Sequence, residues 1–243
     1  DQDAQRKINS QNNDQSKSQQ NIVEADYGGF LSSFSGKNDF ARSTRNLYKE
    51  WECINTGIKP YASVTSIHTA LDCLKHIMKN NNILAKDIKN IKAKISHPTY
   101  VHCAWSYKNH NITSAQMNIY YGLALIALEG ELFVNQFSKD KISNPEILNF
   151  MKKITAEVDP KIESLGHEFR HMASIELTTN DNKKFNHTEK YRKGSPENPL
   201  TKDQIISKFK TLAAYSYDDT KINTIKEKIE NIELSNSIEN LID

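Results

Sequence analysis

A helix begins within the sequence Lys59-Pro-Tyr-Ala-Ser-Val-Thr-Ser-Ile-His-Thr-Ala-Leu-Asp72. Apolar residues recur there and beyond at steps of three and four positions, which predicts a helix with one apolar face. They are Val64, Ile67, Leu71, Leu74, Ile77 and Met78. The loop and the first turn also carry an ammonium group at Lys59, a phenol at Tyr61 and an imidazole at His68. Because such groups can hold a carboxylate and move a proton, this junction is a candidate binding site.

Later segments of the chain alternate between strand and helix patterns. The predicted strands are Asn90–Ile95, Ile154–Val158, Ala173–Leu177 and a fourth around Phe185 and His187, after a turn at Thr179–Asn182. Ala115–Leu128 is apolar nearly all round, which predicts a buried helix that stops at Gly130. Asn144-Pro145 predicts the start of another helix, through about Lys153. This order predicts an α+β fold, in which helices pack on an antiparallel sheet.

Two more helices are predicted after Pro199. Thr201 and Gln204 have the spacing of a capping box at the start of the first helix. Asp219 is the predicted cap of the second, which carries isoleucines at helical spacing. Both helices therefore have an apolar side that needs a packing partner.

Composition excludes several classes of function. The 243 residues include 32 basic and 30 acidic side chains scattered along the chain, for a net charge of +2. This balance gives no electrostatic reason to expect nucleic acid or an anionic membrane surface as a partner. Apolar runs stay well short of the roughly 20 residues that a membrane helix needs. We therefore expect a protein of the cytoplasm, or of the mitochondrion in a eukaryote.

The cysteines and one histidine motif favour a site without metal. Cys53, Cys73 and Cys103 are odd in number and widely spaced, which is typical of reduced thiols and not of iron–sulfur ligands. His167-Glu-Phe-Arg-His171 matches the zinc-protease pattern H-E-x-x-H. That chemistry requires both imidazoles on one face of a stable helix, whereas this segment runs into the strand at Ala173. We interpret it as a surface loop and predict no metal and no cofactor.

Several motifs in a fixed order carry a family resemblance. After Lys59–Asp72 come Ser114-Ala-Gln-Met-Asn-Ile-Tyr-Tyr-Gly-Leu-Ala124 and Leu128-Glu-Gly130. They are followed by Tyr191-Arg-Lys-Gly-Ser-Pro-Glu-Asn-Pro-Leu200, with Lys208-Phe209 beyond it. From about Gly28 to about Leu212 the chain resembles the MmgE/PrpD family. That family contains 2-methylcitrate dehydratases, cis-aconitate decarboxylases and related enzymes of small di- and tricarboxylic acids.

The resemblance implies a division of the chain into four parts. Residues 1–21 are polar and predicted to be flexible, and residues 22–54 would close an N-terminal helical domain. Residues 55–190 would form the α+β lid domain, and residues 191–243 would return to the helical domain. We therefore expect the C-terminal half of an enzyme, inactive alone, whose partners are the N-terminal helical domain and, in the full-length enzyme, a second copy.

The resemblance also implies the chemistry and its residues. Lys59 would bind a substrate carboxylate and stabilise charge as it develops, beside Tyr61 and Gln116 as further substrate-binding residues. His68 or Tyr121 would protonate the product or the leaving hydroxyl, although either side chain is also an ordinary core residue. The base would come from the helical domain. Val64 occupies the region where some decarboxylases of the family carry an additional histidine, which argues against a strict decarboxylase.

Three functions remain open from the sequence. The first is a metal-independent lyase that dehydrates or decarboxylates a small carboxylic acid. The second is an epimerase or isomerase of the same family. The third is a non-catalytic α+β module that mediates assembly.

Overall fold

The computed structural model describes residues 30–34, 39, 41, 44–108, 111–235 and 237. The chain divides into two units, Asp1–Ile54 and Asn55–Asp243. In the first unit the described residues include a short helix, Phe30–Phe34, in which the rings of Phe30 and Phe34 lie 4.9 Å apart. The prediction for residues 1–21 lies outside the described residues, as does much of that for residues 22–54.

A four-stranded sheet forms the centre of the second unit. Its strands are β1 (Ile88–Ile95), β2 (Ile154–Val158), β3 (Ala173–Thr179) and β4 (Lys184–Glu189), in the order β2-β1-β3-β4. Isoleucine, leucine and alanine of β1 and β3 face the core while lysine and glutamate alternate with them, as the strand patterns predict. The α+β class is therefore confirmed.

The sheet is mixed, and this corrects the prediction of an antiparallel sheet. β3 pairs antiparallel with both β1 and β4, but β1 and β2 run parallel, with Ile91 opposite Ile154. Parallel neighbours need a crossover of a dozen or more residues, and residues 96–153 supply one. Residue alternation within a strand is the same in both directions, so the sequence pattern did not report the orientation of β2.

Helices precede, separate and follow the strands along the second unit. Their bounds are α1 (His68–Asn80), α2 (His97–Cys103), α3 (Ile112–Met117), α4 (Ile119–Glu129), α5 (Lys139–Ile142), α6 (Pro145–Met151), α7 (Pro160–Ser164), α8 (Lys202–Ala213) and α9 (Asp219–Glu230). Short 3-10 turns lie at Glu52–Asn55, Thr65–Ile67, Ala85–Asp87, Val134–Phe137, His167–Phe169 and Ile232–Leu234. None of the described helices is both long and apolar enough to cross a membrane.

Three helix boundaries differ from the sequence prediction. The helix expected from Val64 begins at His68, after a 3-10 turn. The helix expected over Ala115–Leu128 is two helices, because the Asn118 side chain accepts a hydrogen bond from the Tyr121 amide and starts α4 anew. Asp218, and not Asp219, caps α9, whereas the capping box of Thr201 and Gln204 is confirmed.

The core lies between the sheet and the helices α1 and α4. α1 packs on β3, β4 and α4, with its apolar face buried as the spacing predicts. Ile67, Leu71 and Leu74 have no exposed surface. This arrangement fixes the first turn of α1, and the loop before it, against a rigid layer.

Candidate functional site

The structure joins the two sequence stretches that carry most of the chemistry. The amide of Ile58 donates to the carbonyl of Gly194 at 2.8 Å, and the Lys208 ammonium donates to the carbonyl of Lys59 at 2.6 Å. Gly194 has a left-handed backbone (φ +85°), and a Cβ there would lie 1.9 Å from the Ile58 oxygen. The turn at residues 191–198 is therefore packed directly on the loop that begins α1.

Lys59 and His68 meet at one backbone carbonyl. The Lys59 Nζ lies 3.4 Å from the Ser63 oxygen, and the His68 Nε2 lies 3.3 Å from the same oxygen. Lys59 is exposed, whereas the His68 ring is fully buried. The loop thus presents a cation to solvent directly above a buried imidazole.

His68 is neutral at physiological pH. Burial lowers its pKa to about 3, against a smaller raising effect of the hydrogen bond to Ser63, and the Lys59 charge lowers it further. If Nε2 donates to Ser63, Nδ1 is the free acceptor, and within the described chain it has no hydrogen-bond partner. A neutral ring in this position can orient or accept a hydrogen bond, but it does not carry the proton of an imidazolium.

Buried polar atoms without hydrogen-bond partners cluster at this junction. Ser63 Oγ and Thr69 Oγ1 share that property with His68 Nδ1 among the residues that the structure describes. Such groups are rare in folded proteins, because each one costs free energy unless a partner is present. They identify the start of α1 as a place where a ligand or an ordered water could complete the hydrogen bonding.

A second pair, Tyr61 and Asp72, lies next to the first. The Tyr61 hydroxyl donates to the Asp72 Oδ1 at 2.6 Å, and the Lys193 amide donates to its Oδ2 at 3.2 Å. Burial raises the pKa of both side chains, so Tyr61 keeps its proton. The edge of the Tyr61 ring contacts His68, with ring centroids 5.1 Å apart.

A pocket of about 630 Å³ opens beside this cluster. Three lysines and three carboxylates contribute to its wall. Its lining residues are Pro60, Tyr61, Asp72, Lys75, His76, Glu131, Leu132, Phe133, Glu189, Lys193, Asn198, Leu200, Gln204, Ser207, Lys208 and Thr211. Burial lowers the pKa of Lys208, and the nearby positive charge of Lys59 lowers it further. The positive charges of Lys59 and Lys208 are therefore close enough to interact.

The structure places Gln116, a predicted substrate-binding residue, in a supporting position. The Gln116 side chain donates from Nε2 to the Ala62 carbonyl at 3.0 Å, and the Gln116 backbone carbonyl accepts from the Val64 amide at 3.0 Å. It therefore holds the loop between Lys59 and α1 in place. In this conformation its side-chain amide is engaged with the backbone.

Tyr121 lies in the core. Its side chain is fully buried, and its hydroxyl donates to the Gln136 carbonyl at 2.7 Å. Its ring packs on Tyr107 and Phe137, with centroids 5.4 and 5.9 Å away, and burial raises its pKa. Within the described residues, none of these contacts joins it to Lys59 or His68. The structure brings together Lys59, Tyr61 and His68, but not Tyr121.

Sequence reasoning missed Asp72, Lys75 and Lys208 as residues of this site. Asp72 had a local signal, because it lies four positions after His68 and therefore on the same side of α1. Lys208 had no such local signal, because it lies far from Lys59 in the sequence and only the tertiary fold brings the two residues together. Lys193, which the sequence offered only as part of a family motif, contributes both its backbone amide and a place in the pocket wall.

Two histidine groups bear on metal binding. The H-E-x-x-H segment forms a 3-10 turn, His167–Phe169, and the His167 ring contacts the Arg170 guanidinium at 2.9 Å. It lacks the stable helix that this zinc motif requires.

A different group, His76, His187 and Glu189, places three potential donor atoms within 4.8 Å of one another. It was not visible in the sequence, because His76 and His187 lie on different elements.

Comparisons with known proteins agree with this architecture. Among similar proteins are the "Cis-aconitate decarboxylase-like protein oryM" of Aspergillus oryzae (strain ATCC 42149 / RIB 40), 25% identical over 91% of this chain, and the "Cis-aconitate decarboxylase" of Aspergillus terreus, 22% identical over 86%. The matches cover 48% and 45% of those proteins, so the chain spans about half the length of these curated relatives. Residues 61–234 match the family model of the MmgE/PrpD C-terminal domain. Because the match covers more than half of the chain, the chain belongs to the MmgE/PrpD family.

Proposed function

We propose that this chain is the C-terminal part of a metal-independent lyase that dehydrates or decarboxylates a small di- or tricarboxylic acid. The observation that carries the proposal is the meeting of Lys59 and His68 at the Ser63 carbonyl, beside a pocket with three lysines. Family membership and the printed names of the relatives support the same chemistry.

Lys59 would stabilise the negative charge of the transition state. Loss of a proton or of CO2 next to a carboxylate leaves charge that spreads onto that carboxylate as an enediolate. An ammonium group has three donors, and in the resting structure Lys59 directs one at Ser63. The remaining donors are available to a carboxylate, and Lys208 adds a second positive charge nearby.

The neighbouring side chains would position the substrate. Tyr61 is oriented by Asp72 and lines the pocket, which suits hydrogen bonding to a carboxylate or hydroxyl group. We propose His68 as an orienting group, because its neutral ring offers an unpaired Nδ1. We also propose Tyr121 as a proton donor. Because its hydroxyl donates to the Gln136 carbonyl, the core would have to rearrange before Tyr121 could reach the substrate. Gln116 would act through the loop that it holds.

The remaining parts of the enzyme are also proposals. We propose that an N-terminal helical domain supplies the base, that the full-length enzyme is a homodimer, and that it acts in the cytoplasm or the mitochondrion. Decarboxylation is favoured by the names of the relatives, and Val64 keeps dehydration open. An epimerase or isomerase would use the same carboxylate site. A non-catalytic assembly module would leave the pocket without a ligand.

A reconstitution assay separates these functions. The chain is combined with a separately produced N-terminal helical domain of the family, and cis-aconitate and 2-methylcitrate are supplied in turn. We expect CO2 release or reversible hydration only when both parts are present. Racemisation of a chiral acid without a change of mass would indicate the epimerase. If no carboxylic acid reacts and none raises the melting temperature of the chain, the lyase proposal is wrong and the assembly module remains.

A further inference from the structure

His76, His187 and Glu189 form a compact group on one side of the pocket. His76 lies on α1, and the other two lie two residues apart on β4, so both side chains point to the same face of the sheet. The two imidazole rings are stacked, with centroids 3.6 Å apart and planes 6° from parallel. The His187 Nε2 lies 2.8 Å from the Glu189 Oε1. The family chemistry proposed above gives none of these contacts a role.

From this group we infer a binding site for a divalent transition-metal ion of the zinc class. Two imidazole nitrogens and one carboxylate oxygen are a donor set that zinc accepts with one open coordination position. The potential donor atoms lie within 4.8 Å of one another. Because zinc ligands lie about 2 Å from a tetrahedral ion, and therefore about 3.3 Å from one another, the most distant donors need to approach each other by up to about 1.5 Å. His76 is exposed, so its side chain can rotate out of the stacked arrangement and turn a ring nitrogen toward the ion.

Neighbouring side chains and the packing of α1 on β4 help to position the three potential ligands. Asn80 Nδ2 lies 2.9 Å from the His76 Nε2, so an amide from the next turn of α1 is within reach to orient that ring. Glu189 and His187 are half-buried, so their positions are set by the packing of α1 on β4. An ordered neighbour that orients a ligating imidazole is typical of metal sites. His76 and Glu189 also line the pocket, so a bound ion would lie at its wall.

Zinc titration of the tag-free full chain tests the inference without reference to lyase activity. Isothermal titration calorimetry with ZnCl2 is expected to show one ion bound per chain. His76→Ala, His187→Ala and Glu189→Gln should each weaken that binding by about 10-fold or more, the scale of disturbing a metal's ligand environment. His102→Ala is the matched control, since His102 is an exposed helical histidine outside the group, and its affinity should equal that of the unmodified chain.

Two outcomes would overturn the inference. One is the absence of zinc binding by the unmodified chain, and the other is unchanged binding in His76→Ala and His187→Ala. In either case the stacked rings are a packing contact. A zinc-soaked crystal of the unmodified chain gives an answer that does not depend on variant folding. We expect an anomalous-scattering peak between His76, His187 and Glu189, and a peak only elsewhere contradicts the site.

Discussion

At the scale of single residues, Lys59 carries the most direct test of the proposed chemistry. Its side chain is exposed, and its ammonium group donates to the nearby Ser63 carbonyl. Lys59→Ala should lower kcat of the reconstituted enzyme by about 100-fold or more, the scale of losing one charge-stabilising donor. The melting temperature should stay the same, because an exposed lysine contributes little stability.

Lys184→Ala is the control for this experiment, since it removes an exposed lysine from β4 instead. Its kcat should equal that of the unmodified enzyme. Full activity of Lys59→Ala would show that the site assignment is wrong.

A second prediction at this scale concerns pH and His68. Its pKa of about 3 in the folded protein lies below the value near 6.5 of a free histidine. The unfolded chain therefore binds a proton between these values that the folded chain does not, so stability falls as pH falls below about 6.5. Each pH unit costs about 1.4 kcal/mol until about pH 3.

Urea unfolding at pH 6.5 and pH 5 measures this effect. His68→Asn should be less stable than the unmodified chain at pH 6.5, and the difference should shrink by about 2 kcal/mol at pH 5. The same pair of measurements on His102→Asn controls for an exposed histidine. A constant difference between the chain and His68→Asn would show that folded His68 binds the proton as readily as the unfolded chain.

At the scale of elements, the turn at residues 191–198 is fixed to the loop before α1 through Gly194. A Cβ at Gly194 would overlap the Ile58 oxygen, and the backbone there is also left-handed. Gly130, at the end of α4, shares the left-handed backbone but has open space around a Cβ. Comparing alanine variants at the two positions therefore separates the free-energy cost of the steric overlap from the cost of a left-handed backbone at alanine.

Gly130→Ala should lower the free energy of unfolding by about 1–2 kcal/mol. Gly194→Ala should lower it by at least about 2 kcal/mol more, because the turn must move away from Ile58. Since Lys193 lies in the same turn, Gly194→Ala should also raise KM in the reconstituted enzyme. Equal losses of stability in the two variants would mean that the turn moves freely and does not position the pocket wall.

At the scale of the whole molecule, the helices after Thr201 leave apolar surface open. α8 contains no fully buried residue, and α9 buries only Ile222 and Ile225 among its described side chains. Several large apolar residues are exposed in this part of the chain: Ile205, Leu212, Tyr215, Tyr217, Ile229, Ile232 and Leu234. Apolar residues exposed together on neighbouring helices are a feature of surfaces that bind a partner.

We expect the isolated chain to self-associate, or to melt at a higher temperature when the N-terminal helical domain is added. Light scattering over a range of concentrations measures the association, and thermal unfolding with and without that domain measures the melting temperature. Leu212→Glu should reduce association, because it places a charge in the apolar surface, whereas Lys210→Glu on the same helix should not. A monomer at all concentrations, with no gain in stability from the helical domain, contradicts the proposed interface.

The sequence was sufficient for properties that depend on neighbouring residues. The apolar spacing of α1, the alternation in all four strands and the capping box of α8 were each correct, because they reflect backbone geometry within a few residues. The order of the motifs was sufficient for the family. The sequence was also sufficient to place Lys59, Tyr61 and His68 near one another, because they lie along one loop and one helical turn, and their roles in a reaction stay predictions.

Properties that depend on distant residues needed the folded chain. The parallel pairing of β1 and β2, the contact of Lys208 with Lys59 and the burial of Tyr121 against Gln136 all join separate elements. The same is true of His76 and His187, which meet only because α1 packs on β4. Periodicity records which side of an element is apolar, but not which other element covers it. The pairing of elements, and with it the composition of the pocket, is therefore a result of tertiary packing.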